Sequence, residues 1–216
     1  GLPMTRLILQ DQAAGLRNLT LFQAPNSARV ITIAGGTARI GKTSVVVNLA
    51  SALAQNGQRV LLIDENPCHN SICTNLGLQG RFDLLHVIHK DKRLDQVLLQ
   101  GPENIVILSA MRGIHALNKL NPLEQDWLVK SFAELTESVD IVLIDTAMTG
   151  TTHVLPLSLA SEQVMIVISG SAASLTGAYV LIKIMSQEYS KQHFLILVNK
   201  VDSETESLSI YQNLYK

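Results

Sequence analysis

Gly36-Thr37-Ala38-Arg39-Ile40-Gly41-Lys42-Thr43 spells the G-x-x-x-x-G-K-S/T phosphate loop, and its flanks restrict the chain to few folds. Before it, Val30-Ile31-Thr32-Ile33-Ala34 is a short apolar, β-branched run, as a buried strand requires. After it, Val46, Leu49, Ala50 and Leu53 recur at helical spacing until Gly57 stops the pattern. A strand that delivers a glycine-rich loop to a helix N-terminus gathers backbone N–H groups and the positive end of a helix dipole at one point. That combination suits phosphate. In it Gly36 and Gly41 free the backbone, Lys42 neutralises phosphate charge, and the Thr43 hydroxyl ligates Mg²⁺, with Ser44 beside it.

Five further apolar runs follow, Val60–Ile63, Ile105–Leu108, Ile141–Ile144, Val164–Ile168 and Phe194–Val198. Most lack period-two alternation, as strands covered on both faces do. Helical patterns fall between them at 123–136, 153–160, 174–188 and 203–215, and residues 65–100 read as short helices around a switch-like loop. Strand and helix therefore alternate, which predicts an α/β, doubly wound, mostly parallel sheet with helices on both faces. Hydrophobic residues make up 47% of the 216, enough for one large core. Residues 1–27 precede the first strand and form a separate extension, in which Leu7, Ile8, Leu16, Leu19, Leu21 and Phe22 suit a short amphipathic helix. No apolar run reaches transmembrane length.

Ligands of open parallel sheets bind beyond the carboxyl ends of the strands. Asp64, Asp145 and Asn199 each end one of the apolar runs, so three polar residues share one rim. Asp145 suits a carboxylate that holds Mg²⁺ through water, and Asp64 either supports the same ion or caps a turn. Asn199 has an amide that can pair with a purine edge. Asn199-Lys200-Val201-Asp202 also matches the guanine-reading N-K-x-D, whereas the companion D-x-x-G is not met at Asp145-Thr146-Ala147-Met148. Both purines therefore stay open. A net charge of −1 argues against direct nucleic-acid binding. Cys68 and Cys73 fit no metal spacing, and the six histidines are scattered. No set of side chains suggests a covalent nucleophile.

The order of phosphate loop, Leu62-Ile63-Asp64, Val142-Leu143-Ile144-Asp145-Thr146 and Val198-Asn199 resembles the MinD/ParA class of deviant-Walker ATPases. Two stretches narrow the resemblance to the FlhG family of flagellar-number regulators. Asp11-Gln12-Ala13-Ala14-Gly15-Leu16-Arg17 is similar to D-Q-A-x-x-L-R, the N-terminal motif with which that family stimulates the GTPase FlhF. Ser174 to Lys183 is similar to the family's S-I/L-T-D-A-Y-x-L-I-K helix start. The resemblance implies ATP or ADP with Mg²⁺ as ligands, and Gly36, Gly41, Lys42, Thr43, Ser44 and Asn199 as the nucleotide contacts. It also implies Asp11, Gln12, Ala13, Leu16 and Arg17 as the surface for an FlhF-type GTPase. A flagellar transcriptional regulator or switch protein would be a further partner. The implied location is cytoplasmic, at the cell pole or the periphery of the inner membrane.

Departures from the family pattern set the expected activity. The family loop reads G-K-G-G-V-G-K-T, and its signature lysine, which crosses a dimer interface, is Thr37 here, followed by Ala38 and Arg39. Asn66 stands where the family has its water-positioning Asp, Cys73 replaces a later switch Asp, and Gly177 replaces the Asp of S-I/L-T-D. The switch glycine after Asp145 is displaced to Gly150. These changes predict detectable but weakened Mg·ATP binding, weak or absent hydrolysis, and no ATP-driven homodimer. The chain is also expected to lack the family's C-terminal membrane helix and so not to bind lipid vesicles. The alternatives are an active, dimerising ATPase switch, or a MinD-like partner of another cell-pole or secretion machine.

Overall fold

A computed structural model of the chain describes residues 28–36, 40–66, 72–78, 82–110, 112–113, 116–146, 163–189, 193–199 and 208–214. Strand β1 (Arg29–Gly35) leads through the phosphate loop into α1 (Lys42–Gln55) and then β2 (Val60–Asp64). Three short helices follow: α2 (Ile72–Asn75), α3 (Leu84–Ile88) and α4 (Leu94–Val97). Next come β3 (Leu99–Gln100), β4 (Ile105–Ser109), α5 (Pro122–Glu137), β5 (Ile141–Asp145) and β6 (Gln163–Ile168). The described part closes with α6 (Ala172–Tyr189), β7 (His193–Asn199) and β8 (Leu208–Leu214).

Among the described residues the strands form one sheet in the order β3-β4-β2-β5-β1-β6-β7-β8. The pairs from β4 through β7 are parallel, and both outer pairs, β3 with β4 and β7 with β8, are antiparallel. The doubly wound sheet predicted from the alternation of strand and helix is therefore present. The central strands β2 and β5 are buried along their whole length because both faces are covered. In β5, Val142 and Ile144 pack with Leu128 and Phe132 of α5, while Ile141 and Leu143 pack with Val46 and Ala50 of α1. A third cluster joins Val164 and Ile166 of β6 to Ala178, Leu181 and Met185 of α6. Those three helical residues recur at i, i+3 and i+7, one stripe facing the sheet.

Local signals end the elements where they should. Asn121 caps α5, accepting from the Glu124 backbone N–H at 2.9 Å, while its own N–H donates to the Glu124 side chain at 3.2 Å; Pro122 takes the first helical position. Gly57, at φ 85°, ends α1 in the left-handed region.

The sequence pattern at the last element is corrected by the structure. A helix is expected over 203–215, yet Leu208–Leu214 is strand β8, antiparallel to β7 from Asn199↔Leu208 to His193↔Leu214. Leu208, Tyr211 and Leu214 have helical spacing, but Leu208, Ile210 and Leu214 also fit a period of two. β7 would otherwise present an open row of backbone donors and acceptors, and seven paired residues close it. The helix expected at 153–160 and the N-terminal extension lie outside the described residues.

Candidate functional site

β1, β2 and β5 end together, so their last residues share the rim at which α1 starts. Parallel registers set Asp145 beside Ile33 of β1 on one side and Asp64 of β2 on the other. The chain switches direction at this point, since β5 lies between β2 and β1 and the next strand, β6, is on the far side of β1. That is where an open parallel sheet leaves a crevice.

Lys42 and Thr43, the first residues of α1, grip the two oxygens of one carboxylate. Lys42 Nζ lies 2.5 Å from Asp145 Oδ1 and also donates to the Thr146 carbonyl; the Thr43 hydroxyl donates to Asp145 Oδ2 at 3.2 Å. Asp145 is fully buried, so its charge needs these partners. Asp64 is also buried, and both its oxygens are engaged. Oδ1 accepts from the Asn66 backbone N–H (3.0 Å) and Nδ2 (2.9 Å), and Oδ2 accepts from the Ile72 N–H at 2.7 Å. Burial pushes the Asp64 carboxyl above its ordinary range, against those donors, and the nearby Asp145 charge adds to the rise. Asp64 therefore braces the segment after β2 and holds the start of α2. Asn66 ties the two carboxylate strands together, since Nδ2 also donates to the Asp145 carbonyl at 3.3 Å.

Glu65 was not singled out in the sequence. It is 2% exposed, and neither carboxyl oxygen has a hydrogen bond of good geometry. Burial pushes its pKa up to about 8, with Asp145 and Asp64 adding to the rise; the Thr146 side chain and the Lys42 charge offset part of it. Glu65 thus holds a proton at neutral pH. The signal in the sequence was a charged residue directly after an apolar strand, which reads equally well as a solvated loop.

The start of α1 fits a Mg²⁺-bound phosphate on two counts, the open helix end and the Thr43–Asp145 pair. Gly41 caps α1 at φ 75°, with no side-chain cap and no acidic residue in the first turn, so the helix keeps its positive end for a ligand. Gly36 and Gly41 are glycines for packing: a side chain at Gly36 would run into the Ser174 carbonyl, and one at Gly41 would come within 2.8 Å of the Asn199 amide nitrogen. The Thr43 hydroxyl and Asp145 lie together as a hard-oxygen pair of the kind Mg²⁺ takes. Lys42, Thr43, Asn66 and Asp64 are thus linked through Asp145 beside the start of α1, Gly41 lies against Asn199, and Gly36 packs on Ser174 of α6. Ser44 sits on the same turn but is exposed. Asn199, from β7, donates its amide to the Ile40 carbonyl at 2.8 Å. Residues 37–39, Lys200 to Asp202 and the Asp11 to Arg17 motif lie outside the described residues.

The family described as "AAA domain" matches residues 28–197. Antiactivator FleN of Pseudomonas aeruginosa is 32% identical over 87% of this chain and 67% of its own length. Flagellum site-determining protein YlxH of Helicobacter pylori is 26% identical over 96% of this chain and 72% of its own. Among solved structures, the MinC:MinD cell division protein complex of Aquifex aeolicus aligns with a TM-score of 0.66 at 22% identity, covering 81% of this chain and 70% of that one. Fold and site thus define a P-loop ATPase domain. The chain belongs to the MinD/ParA-type ATPases, in the group that holds FleN and FlhG.

Proposed function

We propose that the protein is a MinD-like nucleotide-binding regulator of polar flagellar number or placement, acting through protein contacts. The observation that carries the nucleotide part is the grip of Lys42 and Thr43 on Asp145 at an uncapped helix N-terminus. The flagellar part is supported by the likeness to FleN and YlxH. A bound Mg·nucleotide would supply phosphate charge for Lys42 and a cation for Thr43 and Asp145. Lys42, held by Asp145 without the ligand, would neutralise phosphate charge, and the first N–H groups of α1 would donate to it. Catalysis of hydrolysis asks more of the chain. Asn66 cannot take up a proton as a carboxylate can, and its amide is turned inward on Asp64 and the Asp145 carbonyl. Thr37 brings no charge where the resembled family has a lysine, and a phosphate-directed cation is worth about 10³–10⁵ in rate. The chain is therefore a binder with little turnover. Among the described residues no helix is long and apolar enough to cross a membrane.

The partner proposed for Asp11 to Arg17 is an FlhF-type GTPase, with Gln12 and Arg17 as the active side chains. Calorimetric titration with Mg·ADP tests the nucleotide part: saturable binding that Lys42→Ala removes supports it, and no binding by the unaltered protein refutes it. Flagellar counts in a strain lacking the native gene test the role. Complementation should restore the normal number, and Lys42→Ala should not.

A further inference from the structure

The chain has one tryptophan, Trp127, and it stands 37% exposed on α5 rather than in the core. Leu123, one turn before it, is 81% exposed. Residues four apart on a helix share a side, so the two make one apolar strip. The strip is one wall of an open groove of about 620 Å³, and the turn between α3 and α4 is the other, with Lys90, Lys92 and Arg93. That volume lies within the range of ligand clefts, about 300–1,000 Å³. Leu94 of α4 and Leu128 of α5 share a core cluster, which fixes the two walls relative to each other. The acids at the groove are Asp91 and Glu124. Glu124 is held on the Asn121 N–H at 3.2 Å, and Arg93 is paired with Asp95 at 3.1 Å. Among the described residues Lys90 and Lys92 form no ion pair, and Lys92 lies over the Phe82 ring, 4.6 Å from its centre. Two lysines thus stand against one remaining carboxylate, Asp91.

Lys90 is also strained. It follows α3 at φ 62°, where its N–H donates to the Val87 carbonyl at 3.0 Å and the Asp91 N–H donates to the His86 carbonyl at 2.9 Å. This paired turn favours glycine, because a side chain crowds the backbone in the left-handed region. A lysine kept there, exposed and at the mouth of a groove, points to a use for its side chain. We propose that the groove docks an acidic segment of a partner protein. An apolar side chain of that segment would pack on Trp127 and Leu123, and its carboxylates would face Lys90 and Lys92. Tryptophan and arginine recur among the side chains that carry most of the energy at protein interfaces, and complementary charge speeds and orients the encounter. The groove shares no residue with the phosphate loop or with Asp11 to Arg17, so this contact goes beyond the function proposed above.

The test sorts a display library of short random peptides on the full chain, without nucleotide, and titrates the recovered peptides by tryptophan fluorescence. The signal reports on the groove because Trp127 is the one tryptophan. Recovered peptides should combine aspartate or glutamate with leucine, isoleucine or phenylalanine, shift the emission saturably, and bind more weakly as salt rises. Lys92→Glu should weaken them about tenfold, by setting like charges against each other. Lys90→Gly should weaken them several-fold while raising the thermal midpoint, since it removes both the cation and the strain. A lysine without a role in docking would let glycine stabilise the chain at no loss of affinity. Recovered peptides that lack acidic residues, an emission that does not move, or affinities unchanged in both lysine variants overturn the proposal. So does tighter binding of single-stranded RNA or of phosphatidylglycerol vesicles in the same titration, which would give the groove to a different anion. Leu123 is too exposed for its loss to unfold the chain, so Leu123→Ser decides the matter should another variant not fold. Weaker peptide binding by it supports the docking strip, and unchanged binding overturns it.

Discussion

Replacing Glu65 with glutamine should make the protein more stable near neutral pH and change little in acid. The Glu65 carboxyl rises from 4.5 to about 8 on folding, chiefly through burial. A carboxyl raised in this way contributes its full stability below pH 4.5, and that contribution is lost as pH climbs toward 8. Each pH unit in that window costs about 1.4 kcal/mol, so at pH 7 the penalty approaches about 3 kcal/mol. Relaxation and water entry trim this to about 2–3 kcal/mol, which for a chain of this size is about 5–10 °C in the thermal midpoint. Glutamine keeps the shape and removes the titration. Urea unfolding followed by circular dichroism, from pH 5 to 8.5, should show the Glu65→Gln curve drawing steadily above the unaltered one. Parallel curves, or a gap that narrows toward high pH, would refute the assignment of a buried, protonated Glu65.

Lys42→Ala should abolish measurable nucleotide binding and also lower stability by about 3 kcal/mol, because it strips a fully buried Asp145 of its cation; calorimetry and chemical unfolding check the two effects separately. Gly177→Asp restores the residue of the resembled family, yet its side chain would run into the Gly36 carbonyl. It should destabilise by about 1–3 kcal/mol and weaken Mg·ADP binding, although an ordinary helix glycine gains from replacement; equal or improved stability would show that α6 moves aside freely. A peptide covering residues 4–25 should raise GTP hydrolysis by an FlhF-type GTPase, and alanine at both Gln12 and Arg17 should remove the effect. A peptide that neither binds nor stimulates would end the proposal for that segment.

The strand–loop–helix unit and the rim carboxylates were legible because each has a local signature. β-branched runs, a spaced glycine pair and a terminal aspartate need no knowledge of the rest of the chain. Contacts made only by folding were not. Nothing near Asn199 in sequence indicates that its amide meets Ile40. Glu65 looked like the start of a loop, since burial of a residue after a strand depends on what covers it. At Leu208–Leu214 two periodicities fit the same residues, and pairing with the edge of β7 selected the strand. Gly177 was visible as a departure from a pattern, but its close approach to Gly36 belongs to the packing of α6 on the loop.

Steady-state phosphate release from Mg·ATP, measured together with light scattering, tests the central claim of nucleotide binding without turnover. With Mg·ADP binding established on the same preparation, phosphate release should stay near background and the scattering mass should not change when ATP is added. Sustained release that Lys42→Ala removes, or a doubling of mass with ATP, would contradict the account. It would show that another group, Arg39 being the nearest cation in the loop sequence, has taken over the role of the absent lysine.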